Sequence, residues 1–262
     1  MSYTHLVPGS NPGSRTSCQS YMGRSVDILI HTTPVGEVSL DLSTGIGKSP
    51  LPLGKGSEFN YNRYGKPGYG LTFHGRVLQH LLQRPTHVFS VEELYRSVYG
   101  ISQERLSLYE AQLMRVTLST LRIQLGETSD RAHGRNAKKV VRSITGRGVT
   151  IASDEQLIDA AHPDVQQVAT PWGDLAYNDR ALLARSPMKE DDSALVGFSP
   201  QIGGILNELV QSSGHKVLKD NFRHYEDGYL RVQVAMIRKL LGDTDRRLIK
   251  AHSCGYELSA AQ

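Results

Sequence analysis

The chain has 262 residues, with 30 Lys and Arg against 26 Asp and Glu, giving a formal net charge of +4 and a pI near 9.0. That balance is a mild bias toward polyanionic partners, and a hydrophobic fraction of 39% is enough for two small cores. No apolar run approaches the roughly 18 residues of a membrane-spanning helix, and the N-terminus lacks the charged-then-apolar layout of a signal peptide. The two cysteines, Cys18 and Cys254, lie in unrelated contexts, so no disulfide framework is expected and a cytoplasmic protein without membrane contact is.

Residues 1–23 are rich in Ser, Gly, Pro and Thr and read as a disordered tail. Val26, Ile28 and Ile30, the turn Thr33-Pro34-Val35-Gly36, and then Val38, Leu40 and Leu42 predict an antiparallel hairpin with one buried face. Gly45 to Gly70, rich in Gly, Pro, Tyr and Lys, reads as a long loop. Gly47-Lys48-Ser49 resembles the end of a phosphate-binding loop, but Leu42 stands where the earlier glycine is required and Pro50 and Pro52 forbid the following helix.

Helices are predicted next. Thr72 caps one with Phe73, Val77, Leu78, Leu81 and Leu82 on its inner face, and Ser90-Val91-Glu92-Glu93 is a capping box for a second. A polar loop, Gly100 to Ser107, leads to a third. A basic segment follows with Arg131, His133, Arg135, Lys138, Lys139, Arg142 and Arg147, and Thr145-Gly146-Arg147-Gly148 is the turn of a hairpin flanked by Val140–Ile144 and Val149–Ile151. Residues 153–169 read as a linker with a short helical turn. The order then repeats in less space: strands near 173–177 and 181–183, a helix capped by Ser199-Pro200, a short apolar stretch Lys216-Val217-Leu218 matching His87-Val88-Phe89, a vestigial second helix within 219–224, another long helix, and a hairpin around Ser253-Cys254-Gly255.

The repeat is plainest in the long helices. Tyr109 to Glu127 and Tyr225 to Asp243 align without a gap at a constant offset of 116 positions, with Tyr, Glu, Arg, Val, Arg, Leu and Gly recurring. Met114, Leu118, Leu121 and Leu125 match Leu230, Val234, Ile237 and Leu241 at i, i+4, i+7, i+11, the buried stripe of an amphipathic helix. The opposite face carries positions 112, 116, 119, 120 and 123, matched by Gly228, Val232, Ala235, Met236 and Lys239, with Arg115, Arg122, Arg231 and Arg238 on the flanks. No acid lies between Glu110 and Glu127, nor between Asp227 and Asp243. A solvated face usually interleaves both charges. A face of arginines with small and apolar residues suits a DNA major groove, where arginine meets guanine or phosphate and Val116 or Val232 meets a thymine methyl.

These residues resemble the C-terminal effector domain of OmpR/PhoB-type response regulators. That family's pattern is a helix with Val-x-x-x-Ile-x-x-Leu-Arg-x-x-Leu-Gly, then a hairpin wing with Ile-x-x-Val-x-Gly-x-Gly-Tyr. Leu118–Gly126 with Val141–Val149, and Val234–Gly242 with Cys254-Gly255-Tyr256, match it, and His87–Leu94 resembles the start of the family's second helix. The resemblance implies an α+β chain of two tandem winged helix-turn-helix domains, each with N-terminal antiparallel strands, three helices and a β-hairpin wing, over residues 24–152 and 170–262. It implies a transcription regulator, bacterial or phage, that binds double-stranded DNA at two adjacent direct-repeat half-sites through two major-groove helices and their wings. It also implies contact with RNA polymerase through Gly100 to Ser107. The family's receiver domain is not matched, and its basic pair before Leu-Arg is here Ser119-Thr120 and Ala235-Met236. The expected DNA-binding residues are Gln112, Arg115, Val116, Ser119, Arg122, Lys138, Arg142, Arg147, Arg231, Val232, Ala235, Arg238, Lys239, Lys250 and His252. A replication initiator on repeated origin sites and a winged-helix protein-interaction module are the alternatives. The ten histidines are scattered, with no metal-ligand spacing and no catalytic grouping, so neither an enzyme nor a metal or other cofactor is expected.

Overall fold

A computed structural model describes residues 17–21, 24–51, 58–66, 70–101, 106–127, 139–190, 194–222 and 225–261. Among them the fold is mixed α+β, with six α-helices and four small antiparallel sheets. The chain divides into two compact units: Met1–Ser143 with Gly148–Ser153, and Ile144–Arg147 with Asp154–Gln262.

The first unit opens with a five-stranded sheet in sequential order: β1 (Ser17–Tyr21), β2 (Arg24–Thr33), β3 (Gly36–Asp41), β4 (Ile46–Lys48) and β5 (Glu58–Asn60). The expected hairpin is β2–β3, paired from Ile28↔Asp41 to Thr33↔Gly36 and closed where the Thr33 hydroxyl donates to the Gly36 carbonyl at 2.7 Å. Two expectations are corrected. Residues 17–21 of the predicted tail are a strand paired with β2. The predicted loop from Gly45 to Gly70 contains β4 and β5, which carry the sheet two strands further. Composition hid β4 because its central residue is glycine. A Cβ at Gly47 would lie 2.6 Å from the Tyr61 ring, so only glycine lets the strand cross that buried aromatic.

Helix α1 (Phe73–Gln83) packs on β2 and β3 of this sheet, and α2 (Val91–Tyr99) and α3 (Leu108–Gln124) pack against α1 and each other. Thr72 and Ser90 cap the first two by accepting from Gly75 N and Glu93 N. The predicted capping box at Ser90 is only half made, because Glu93 Oε1 meets His87 Nε2 at 2.6 Å. The full box stands at Ser107, whose hydroxyl accepts from Glu110 N while Glu110 Oε2 accepts from Ser107 N. Val38, Leu40, Leu78, Leu81, Leu94, Met114 and Leu121, all fully buried, make the core between sheet and helices. The hairpin β6 (Arg142–Ile144) and β7 (Gly148–Thr150) follows, tied to the start of α2 by a bridge between Phe89 and Val149.

The second unit is built in the same order. After a single turn, α4 (Asp154–Leu157), come β8 (Val165–Thr170), β9 (Gly173–Asn178), β10 (Leu183–Arg185) and β11 (Leu195–Gly197), in spatial order β11-β10-β9-β8. β8 begins inside the predicted linker 153–169, so that segment is partly sheet. Helix α5 (Pro200–Gln211) is capped by Ser199. β12 (Lys216–Leu218), a 3-10 turn over Lys219–Phe222 in place of a second helix, α6 (Asp227–Leu241), β13 (Ile249–His252) and β14 (Gly255–Leu258) complete it, with β12-β14-β13 as one sheet. Its core joins Leu175, Tyr177, Ile205, Leu206, Leu209, Leu230, Val234 and Ile237.

Candidate nucleic-acid interface

Both long helices end alike. Leu125 and Leu241 are their last buried residues, and Gly126 and Gly242 turn the chain with φ of 81° and 77°, which glycine adopts without strain. The carbonyls of Leu125 and Leu241 accept from the buried hydroxyls of Ser49 and Ser186, each at 2.6 Å. The acid after each glycine is buried and organises the chain beyond it. Glu127 Oε1 accepts from Val141 N at 2.5 Å, and Asp243 accepts from the amides of Arg247, Leu248 and Ile249 at 2.7–2.9 Å.

The second arginine of each helix belongs to this joint. Arg122 Nε donates to the Val141 carbonyl at 3.1 Å, its Nη2 to Ser143 Oγ at 2.8 Å, and Nε lies 3.7 Å from Glu127 Oε2. Arg238 Nε donates to the Ile249 carbonyl at 3.0 Å and lies 4.0 Å from Asp243 Oδ2. Each guanidinium therefore braces the helix end against the following hairpin strand. Burial raises the Glu127 carboxyl above its ordinary range, opposed by the Val141 amide and Arg122; burial also lowers the Arg238 guanidinium, opposed by Asp243. Arg122 and Arg238, expected to face a partner, thus hydrogen-bond within their own domain.

The opposite helix face stays open. On α3, Gln112, Arg115, Val116, Ser119 and Ile123 are exposed, at i, i+3, i+4, i+7, i+11. On α6 the same stripe is Gly228, Arg231, Val232, Ala235, Met236 and Lys239. The apolar members are well out in solvent: Val116 53%, Ile123 63%, Val232 56% and Met236 44% exposed. Glu110 faces Ser107 and the Tyr95 hydroxyl rather than the stripe. Asp227 pairs with Lys219 Nζ at 3.1 Å and lies 4.0 Å from Arg231 Nη2.

The hairpins hold the rest. Lys250 is exposed on β13, and His252 Nε2 lies 3.0 Å from Glu257 Oε2 across the sheet. Arg142 Nη1 donates to the Ala152 carbonyl at 2.8 Å, so its head is turned inward. Arg147 lies in the turn of the predicted hairpin and does not stand free there. Instead Arg147 Nη2 pairs with Asp179 Oδ1 at 2.8 Å within the second unit, and a Cβ on neighbouring Gly146 would lie 2.8 Å from the Pro200 ring. Lys138, Arg131, His133 and Arg135 lie outside the described residues, as does 102–105 of the Gly100–Ser107 loop. Exposed cations not among the sequence candidates include Lys139 and, in the turn before β13, Arg246, held at φ 58°, and Arg247, which pairs with Asp245 at 3.3 Å. Nothing in the composition of that turn marks Arg246 out.

The two hairpins also share a close approach. A Cβ at Gly148 would stand 1.9 Å from the Phe89 carbonyl oxygen, and one at Gly255 2.0 Å from that of Val217. Phe89 therefore corresponds to Val217, one residue away from the match drawn from sequence.

No family model, curated protein or solved structure matches the chain.

Proposed function

We propose that the chain is a sequence-specific double-stranded DNA-binding regulator made of two winged helix-turn-helix modules of the OmpR/PhoB type. In this reading α3 and α6 are the major-groove helices, and β6–β7 and β13–β14 are the wings. The observation that carries it is the doubled helix face: the same exposed stripe, with an arginine beside a valine, occurs on both helices, and each helix end is braced to its hairpin by an arginine and an acid and tied to its N-terminal sheet segment by a serine. A face needed only for solubility would carry both charge signs; this one pairs cations with apolar groups, as a groove of phosphates and base edges requires. Arg115, Arg231, Lys239 and Lys250 are the cations it offers, with Val116, Ser119 and Ala235 between them.

The test is selection of duplexes by the full chain from a random library, followed by footprinting of the winners. Protection of two blocks repeated in the same orientation supports the proposal. Recovery of no sequence above background contradicts it.

A further inference from the structure

Resting on that reading, we infer that both helices recognise C5-methyl groups of pyrimidines in the major groove, so that the preferred half-sites are methyl-rich rather than guanine-rich. With the inward Arg122 and Arg238 set aside, the centre of each stripe has little hydrogen-bonding capacity left. Arg122 and Arg238 are committed to Val141 and Ile249. What remains at the centre of α3 is Val116, Ser119 and Ile123, and at the centre of α6 Val232, Ala235 and Met236. Guanine and adenine are read through the forked donors of Arg or Lys and the amides of Asn or Gln. The C5-methyl is the one major-groove feature read by apolar contact. On α3 only Gln112 and Arg115 can make forked bonds, both in the N-terminal half; on α6, Arg231 and Lys239 flank the apolar centre.

The exposure is too large and too regular to be incidental packing. Val116, Val232, Ile123 and Met236 lie between 44% and 63% exposed, while the residues one helical face away, Met114, Leu118, Leu230 and Val234, are nearly or fully buried. An apolar surface left in water gains when it meets another apolar group, by roughly a factor of four in affinity for each methyl-sized contact. Charge selects the partner. Arg115, Arg231 and Lys239 border the stripe; of the acids near its start, Glu110 is engaged by Ser107 and Asp227 by Lys219, and Glu226 stays exposed at the first turn of α6. A cation-rimmed apolar stripe fits an anionic surface bearing methyl groups. Thymine and 5-methylcytosine present the same methyl at the same place, so the recognised chemistry is the methylated pyrimidine.

The experiment titrates the full chain by fluorescence anisotropy, at fixed salt, against a selected duplex in four forms: unmodified, thymine replaced by uracil within the protected blocks, T·A pairs replaced by C·G, and the last with 5-methylcytosine. Uracil should weaken binding about fourfold per contacted methyl. Cytosine should weaken it further, and 5-methylcytosine should recover part of that loss. Recovery to the thymine level or beyond identifies methylation itself as readable. Val116→Ser with Ile123→Ser should abolish the thymine-to-uracil ratio in the first block, and Val232→Ser with Met236→Ser in the second, while melting temperatures hold because all four sites are exposed. Equal affinity for thymine and uracil duplexes, with tight specific binding retained, overturns the methyl proposal but leaves DNA binding intact. Absence of binding to every duplex overturns both.

Discussion

Arg122 and Arg238 sit seven positions after Arg115 and Arg231 on the same helices, yet the two pairs have different work. Arg115 and Arg231 are exposed, whereas Arg122 and Arg238 lie between a buried acid and a strand carbonyl. Removing either brace leaves Glu127 or Asp243 without its counter-charge. Arg122→Ala and Arg238→Ala should therefore each lower stability by about 2 kcal/mol in chemical denaturation. Arg115→Ala should leave stability within about 0.5 kcal/mol and weaken DNA binding roughly tenfold. Asp243→Ala should be worse still, on the order of 3 kcal/mol, since it strands the two buried amides of Leu248 and Ile249 and the part-buried amide of Arg247. Glu127 adds a pH dependence. Its folded carboxyl holds its proton more tightly than the unfolded one, so it favours folding below the ordinary carboxylate range, and that contribution fades as pH rises through the raised folded value. The melting temperature of Glu127→Gln relative to the native chain should accordingly rise with pH across that window; a flat difference would show that the amide and arginine contacts cancel burial. The outer face was legible from the 3.6-residue period alone, because Val116 and Val232 fall where the period puts them. The inward turn of Arg122 was not, because its partner Val141 lies 19 residues on, beyond a stretch with no periodic signal.

At the scale of elements the repeat is longer than the two helices, and its visibility depended on loop length. Thr33-Pro34-Val35-Gly36 and Thr170-Pro171-Trp172-Gly173 make the same hairpin turn, with the threonine hydroxyl donating to the glycine carbonyl at 2.7 and 2.6 Å. They stand 137 positions apart, as do Ser49 and Ser186. The caps Thr72 and Ser199 stand 127 apart, the long helices 116, and Gly148 and Gly255 only 107. Each block keeps its spacing, and each loss falls in a connection or in the missing second helix, where a 3-10 turn replaces α2. A single ungapped comparison therefore shows only the longest block. The glycines give a sharp check. Gly148→Ala and Gly255→Ala would push a methyl into a backbone carbonyl that cannot rotate away, and each should destabilise its unit by more than about 2 kcal/mol, read as a lost or early melting transition. The two helices also differ at their first turns. Glu226 and Asp227 leave acid exposed at the start of α6, whereas Glu110 on α3 is drawn into its capping box. If both helices enter DNA as proposed, contact through α6 should accordingly be the weaker of the two, and Arg231→Ala should cost less affinity than Arg115→Ala in the same titration.

For the whole molecule, the proposed two modules in one chain would gain effective concentration: once one helix is seated on DNA, the other would search only the neighbourhood its connection allows. A duplex with two half-sites in direct repeat, about one turn or 10–11 bp apart, should bind far more tightly than one with a single half-site, and inserting about 5 bp should cost more than inserting a full turn. The central claim is that an arginine- and lysine-rimmed face meets phosphate. Five exposed cations on the proposed surfaces, Arg115, Lys139, Arg231, Lys239 and Lys250, correspond to a log–log slope of affinity against salt of about −4 to −5 if each neutralises one phosphate. The decisive measurement is that slope, taken with the full chain on the two-site duplex and repeated with Arg115→Ala and Arg231→Ala together. A slope of about −4 to −5 that becomes shallower by about two in the double variant is the predicted result. A slope near zero, or one that the double variant leaves unchanged, would contradict the account.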